Sequence, residues 1–277
     1  MNRAILGIAP DAKQEGILSQ VMPSWQRYAQ RHQLEIVIVR RSITEGKHPY
    51  WDRWLIIQET EPEVARFDKL VLLDNDIYIS DSAPDVFDYS GASGITAMEE
   101  SAQQEWHPSQ ITEYYARFHV VPEARLPRPT KVFNFGVCLV IREARSVFKA
   151  LYDKWRSEIQ SRFTQAELKQ RGIFYRLETD GPFLSYELQA LGRISPLPPK
   201  FNFMLPSWLR KVGVRRLPFL LQAKLAQRAP AALPKSVVSA LTSPARSAVQ
   251  RAAAQCHFLH VAASKSPLWL LSQDTTH

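Results

Sequence analysis

Short apolar runs alternate along the chain with hydrophobic positions spaced three to four apart, and together they predict an α/β fold. Arg3 to Ala9 reads as a first strand, which Pro10-Asp11 breaks into a loop. Ile17, Val21, Trp25 and Tyr28 then recur at helical spacing, and Leu34 to Val39 is a second strand. A β-α-β opening implies parallel strands joined by a right-handed crossover. Tyr50 to Thr60 reads as a helix with Trp51, Trp54 and Leu55 on one side and Arg53 off that stripe. Leu70 to Leu73 is an almost wholly apolar run, suited to a strand buried on both faces. Gly94 to Ala97 is a short strand and Ser109 to Phe118 a helix, while Pro122, Pro127 and Pro129 make the stretch before Lys131 a loop. Val132 to Ile141 is another buried strand, followed by a helix carrying Val147, Phe148, Leu151, Trp155 and Ile159. A further helix starts near Thr179-Asp180, with Phe183, Leu184, Leu188 and Leu191 as its apolar face, and Cys256 to Val261 is the last strand-like run. No internal repeat is visible.

The strand at Leu70 to Leu73 ends in Asp74-Asn75-Asp76, two carboxylates separated by one residue. In open α/β sheets ligands bind at such strand ends. On extended backbone the two side chains would point to opposite faces, so their convergence requires a turn as the chain leaves the sheet. Converged, they offer hard oxygen ligands to Mg²⁺ or Mn²⁺, ions that keep positions open for phosphate. No Gly-x-Gly-x-x-Gly follows the first strand and no Gly-Lys-Ser/Thr loop occurs anywhere, so any phosphate is handled by other means, such as a metal.

Composition adds an asymmetry. The chain has 277 residues and a net charge of +8, but from Leu188 onward twelve Lys/Arg face a single acid, Asp274. The remainder is slightly acidic, so the C-terminal third is the basic part, able to face nucleic acid, anionic lipid or a soluble anion. The N-terminal apolar run is too short for a signal peptide or a membrane span, and Cys138 and Cys256 sit in apolar runs that suit reduced thiols. A cytoplasmic location is expected from these two features.

Several separated stretches agree with one family. "Leu-Leu-Asp-Asn-Asp-Ile" stands in place of an Asp-x-Asp motif, and "Phe-Asn-Phe-Gly-Val-Cys-Leu-Val" in place of an Asn-x-Gly-Val strand. "Thr-Asp-Gly-Pro-Phe-Leu", "Leu-Pro-Pro-Lys-Phe-Asn-Phe" and "His-Val-Ala-Ala-Ser-Lys-Ser-Pro" follow in the matching order. The chain thus resembles the GT-A glycosyltransferases, most closely the family 8 type. The resemblance implies a GT-A (Rossmann-like) core, a nucleotide-diphosphate sugar donor with UDP as its nucleotide, and a divalent metal. It implies Asp74, Asp76 and His260 as metal ligands, and an imidazole among them tips preference to Mn²⁺ over Mg²⁺. His257 competes with His260 for that role, though the Ala262-Ala263, Lys265 and Pro267 spacing fits His260 better. Lys265, Arg53, Asn75 and the strand end at Ala9 are the implied donor contacts, and Asn134 the implied partner of sugar hydroxyls. Asp180 stands beside the reacting sugar. The family pairs it with Gln, where this chain has Gly181, and a family glycine is replaced by Ala263. Retention of anomeric configuration is the expected outcome.

Two rival readings fit less well. A haloacid-dehalogenase-like phosphatase also ends a strand in Asp-x-Asp, but it needs later acids, and only Asp274 remains after Leu188. A nucleic-acid-binding protein would interleave aromatic residues with its charges, and between Ser207 and Arg251 only Trp208 and Phe219 do so. The expected organisation is therefore a core over 1–206, a basic helical elaboration over 207–254 and a terminal strand and motif over 255–277 completing the core. The expected function is metal-dependent sugar transfer to a glycan or lipid-linked acceptor, with the basic elaboration attaching peripherally to the inner, anionic face of the membrane.

Overall fold

The structure is a computed structural model that describes residues 1–48, 50–58, 60–117, 129–158, 180–204, 250–252, 254 and 256–260. A six-stranded sheet is formed by β1 (Arg3–Ile8), β2 (Glu35–Val39), β3 (Lys69–Leu73), β5 (Ile95–Glu99), β6 (Phe133–Ile141) and β7 (Ser195–Leu197). Its order is β2-β1-β3-β6-β5-β7. β1 runs parallel to β2 and β3, and β5 parallel to β7, while β6 is antiparallel to both of its neighbours. A second sheet of three short strands, β4 (Ile77–Ile79), β8 (Phe203–Met204) and β9 (Phe258–His260), is ordered β4-β9-β8. The described helices are α1 (Ala12–His32), α2 (Asp52–Ile56), α3 (Glu100–Gln103), α4 (Pro108–Arg117), α5 (Ser146–Glu158) and α6 (Asp180–Ala190). The architecture is the expected mixed α/β one, mostly parallel and flanked by helices.

Burial of β3 on both faces follows from its alternation. Leu70 and Leu72 join a core with Trp54, Phe148 and Leu184, whereas Val71 and Leu73 join the opposite core with Trp25, Phe201 and Phe258. Each such side chain, removed from water, contributes on the order of 1.5–3 kcal/mol. The first core is covered by α2, α5 and α6; the second is covered by α1 and the small sheet.

α1 starts where the Asp11 carboxylate accepts the N–H of Gln14 at 2.8 Å, which satisfies one otherwise unpaired donor of the first turn. Its buried stripe runs through Leu18, Val21, Trp25 and Tyr28; Ile17 lies off that stripe and faces a cleft. Trp25 donates its indole N–H to the carbonyl of Ile77 at 2.7 Å, tying α1 to the first strand of the small sheet.

Five expectations are corrected in detail. The helix expected over Tyr50 to Thr60 is only five residues long, because i to i+3 bonds from Gln58, Glu61 and Val64 tighten the following backbone into turns. The strand expected at Gly94 begins at Ile95, since Gly94 takes a left-handed φ of +81° in the turn before it. Leu191 is exposed beyond the end of α6, where the chain turns at Gly192 with φ +61°. Among the described residues, the run expected to be extended from Cys256 forms strand over Phe258–His260. Both cysteines are buried thiols outside any disulfide, and burial pushes each up to about 12. The helix expected from Ser109 starts one residue earlier, at Pro108, a residue whose fixed φ suits a first helical turn. The proline loop before Pro129, Ile159, Thr179 and nearly all of the basic elaboration over 207–254 lie outside the described residues, as does Lys265. Among the described residues no helix is long and apolar enough to cross a membrane.

Candidate functional site

The predicted turn after β3 exists and serves as the joint between the two sheets. The N–H of Asp74 still pairs with Gly136 O of β6 at 2.8 Å, and Ile77 N–H then closes back on Asp74 O at 3.1 Å. That four-residue turn brings Asp74 and Asp76 together and delivers the chain into β4. β9 pairs antiparallel with β4 in the register Ile77 to His260, so His260 is placed beside the turn by backbone pairing alone. Its Nε2 lies 3.6 Å from Asp74 Oδ2 and 3.4 Å from Asp76 Oδ1.

The three residues each offer one ligand atom, all within 4.8 Å of one another. Neighbouring ligands around an octahedral ion with bonds of about 2.1 Å are separated by about 3 Å, close to these distances. Two carboxylate oxygens and one imidazole nitrogen suit a first-row divalent ion. Space for the ring is provided by Gly136: a Cβ there would stand 2.6 Å from His260 Cε1 and 2.7 Å from Nδ1. Burial pulls the His260 pKa down, but the carboxylates of Asp76 and Asp74, with Glu100 behind them, outweigh it and hold the ring above its ordinary value. That negative field is what a cation would meet.

Arg53 lies behind the carboxylates. Its guanidinium pairs with Asp74 Oδ1 and donates to the carbonyl of Phe135, stands 3.7 Å from Asp180 Oδ2 and lies over the Trp54 ring at 4.6 Å. Asp74 thus gives one oxygen to Arg53 and turns the other toward His260. Burial lowers the Arg53 pKa, and Asp74 with Asp180 more than restores it. Asp180, at the start of α6, accepts the indole N–H of Trp54. Burial raises its pKa, while Arg53 and the Trp54 bond pull it partly back.

A cleft of about 940 Å³ opens over this group. Ile8, Pro10, Lys13 and Gln14 line one part of it, and Tyr50, Glu100, Tyr114 and Pro182 another. Asn75 donates from Nδ2 to Ile8 O at 2.7 Å and to Gln14 Oε1 at 3.1 Å, while its buried Oδ1 has no hydrogen-bond partner among the described residues. Ala9 is not part of the lining. It is packed in the second core with its N–H on Val39 O at 2.9 Å, and its neighbours Ile8 and Pro10 meet the cleft instead. Asn134 lines the cleft but spends its amide on protein partners: Nδ2 on Glu100 Oε2 at 3.1 Å, Oδ1 on the Gly136 N–H at 2.9 Å and on Asn202 Nδ2 at 2.8 Å. His257 faces away, its ring against Phe201 at 4.9 Å, and burial with nearby Lys200 lowers its pKa.

Three participants carried no role in the sequence reading. Asn202, bonded to His260 Nδ1 at 2.9 Å, belongs to a stretch whose motif was visible but whose side-chain direction was not. Glu100 and Trp54 gave no signal, since an acid after a strand and a tryptophan on an apolar stripe are ordinary features.

No protein-family model matches the sequence, and no curated protein is similar to it. Among solved structures, a glycosyltransferase involved in the glycosylation of the major capsid of PBCV-1 superposes with a TM-score of 0.50 at 13% identity, covering 99% of this chain and 100% of that one. GlyE, a glycosyltransferase of Streptococcus pneumoniae TIGR4, gives 0.44 at 14% identity, covering 98% of this chain and 60% of that one. The chain has the fold of a known glycosyltransferase structure.

Proposed function

We propose that the chain is a metal-dependent glycosyltransferase that moves a sugar from a nucleotide-diphosphate donor. The observation that carries this reading is the convergence of Asp74, Asp76 and His260 at the end of β3, on the floor of the cleft. A bound divalent cation would neutralise the diphosphate leaving group, whose negative charge grows as the sugar–phosphate bond breaks. Asp74 Oδ2, Asp76 and His260 Nε2 are the atoms that would hold it. Mn²⁺ fits this mixed donor set better than Mg²⁺.

The chain's own residues do the rest. Arg53 orients Asp74, because its guanidinium is fixed between that carboxylate and the Phe135 carbonyl. Asp180 is held by Trp54 and Arg53 at the cleft wall, a placement that suits an acceptor for sugar hydroxyls on the reacting side. Next to it Gly181 leaves open space, since a Cβ there meets nothing within 4 Å among the described residues, so the sugar site is wider than one carrying the family glutamine. The unpartnered Asn75 Oδ1 offers an acceptor to the nucleoside end, beside Gln14. UDP as the nucleotide, retention of configuration, Lys265 on the diphosphate and Asn134 near the sugar belong to the same reading and rest on the sequence resemblance. So does a glycan acceptor, whereas a cytoplasmic site at the inner membrane face, with a lipid-linked acceptor, rests on the short N-terminal apolar run, the cysteines in apolar runs and the basic C-terminal third. Incubation with a panel of nucleotide sugars and Mn²⁺ tests it: slow hydrolysis of one donor without acceptor identifies nucleotide and sugar together, and inertness toward the whole panel counts against the reading.

A further inference from the structure

His260 has two ring nitrogens, and which of them carries the proton can be worked out from fixed points. The backbone N–H of Gly136 can only donate, so the Asn134 atom 2.9 Å from it is an oxygen. At its other end the Asn134 amide meets Glu100 Oε2 at 3.1 Å, a carboxylate acceptor, and is therefore the NH₂. Both ends give one orientation. Asn134 Oδ1 also lies 2.8 Å from the Asn202 amide, which must present its own NH₂ there. What Asn202 turns toward His260 is consequently its oxygen, 2.9 Å from Nδ1. An oxygen at that place requires a proton on Nδ1.

We infer that Asn202 is a positioning residue, oriented by Asn134 and the Gly136 amide, that accepts the Nδ1–H of His260 and so reserves Nε2, which faces Asp74 and Asp76, for a cation held among the three. The cation rests on the metal reading above; the bond from Nδ1–H to Asn202 does not, since without a cation Nε2, facing two carboxylates, would carry a proton as well. Asn202 is fully buried and His260 nearly so, which leaves the pair without competing solvent. The opposite tautomer would set an Nδ1 lone pair against the Asn202 oxygen, two acceptors facing each other in a dry site. A metal-ligating histidine is usually fixed in this way, through a bond from its other ring N–H, and loss of such a partner weakens metal binding by roughly 10- to 100-fold.

The test uses the full chain, ¹⁵N-labelled and saturated with Zn²⁺, a diamagnetic ion that would take Nε2 and leave the spectrum sharp. Long-range proton–nitrogen correlation distinguishes the two tautomers, and loss of one spin system in His260→Ala assigns the signal. The expected result is a wild-type His260 that is predominantly Nδ1–H. Asn202→Leu, which keeps the volume and removes the amide, should speed exchange of the His260 Nδ1 proton and weaken Mn²⁺ binding by roughly 10- to 100-fold. A wild-type ring that is predominantly Nε2–H overturns the inference without any variant. A folded Asn202→Leu with unchanged proton exchange and unchanged Mn²⁺ affinity overturns it as well. A wild type that keeps a slowly exchanging Nδ1 proton but ignores both Zn²⁺ and Mn²⁺ upholds the Asn202 bond and removes the metal reading instead.

Discussion

Gly136→Ala tests how tightly the site is built. In a strand, replacing Gly by Ala normally gains roughly 0.5–1 kcal/mol by restricting the unfolded chain. Here the added methyl would stand 2.6 Å from His260 Cε1, 2.7 Å from Nδ1 and 3.1 Å from Asn134 Oδ1. The ring cannot swing aside freely, because its Nδ1 is bonded to Asn202 and its backbone is paired with Ile77. Overpacking of this kind costs about 1–3 kcal/mol, so the methyl should destabilise the protein by about 1–2 kcal/mol net. A melting temperature lower by roughly 2–8 °C is the thermal equivalent. Relief of the clash must move the imidazole by a large part of an ångström, taking Nε2 off the carboxylates and weakening Mn²⁺ binding by roughly 10-fold or more. Thermal unfolding of the metal-free protein and Mn²⁺ titration followed by the spin signal of the free ion measure the two effects. A variant that melts higher than the wild type and binds Mn²⁺ as tightly would refute the cradle.

His260→Ala should abolish tight Mn²⁺ binding while His257→Ala leaves it near wild type, since His260 faces the aspartates and His257 packs on Phe201; equal losses in the same titration would reverse that assignment. Arg53→Met should destabilise by about 3–5 kcal/mol in urea unfolding, because it leaves two partly buried carboxylates without their cation. Arg40→Met, at an exposed pair with Glu15, should change stability by less than about 1 kcal/mol, and comparable losses at both positions would contradict the account of Arg53. Co-sedimentation should be strong with anionic vesicles at low salt, weak with neutral ones, and reduced by changing Arg210, Lys211, Arg215 and Arg216 to Ser; indifference to anionic vesicles points to a soluble acceptor.

The parts of this molecule legible in its sequence are those set by local pattern. The apolar run at Leu70 to Leu73 could only be a strand between two cores, and two acids straight after it could converge only through a turn. Both features are present. What the sequence could not carry was pairing between distant segments. The register of Ile77 with His260 joins positions 183 residues apart, and nothing in either stretch states that register; the choice of His260 over His257 came from motif spacing. Side-chain direction was hidden as well. Arg53 was expected to contact the donor; it lines the cleft, but the sequence could not show that its guanidinium is also held by Asp74 and the Phe135 carbonyl. Asn134 and Asn202 look alike in sequence, and only their mutual bond, anchored on a backbone N–H, shows that they orient His260.

The central claim is that Asp74, Asp76 and His260 hold a divalent ion that makes sugar transfer possible. Turnover of the donor found in the nucleotide-sugar panel, followed with Mn²⁺, with chelator and with Asp76→Asn, tests it most directly. The account predicts hydrolysis that needs Mn²⁺, stops with chelator and is lost in a folded Asp76→Asn of wild-type melting behaviour. Full turnover by that variant in the presence of chelator would contradict it.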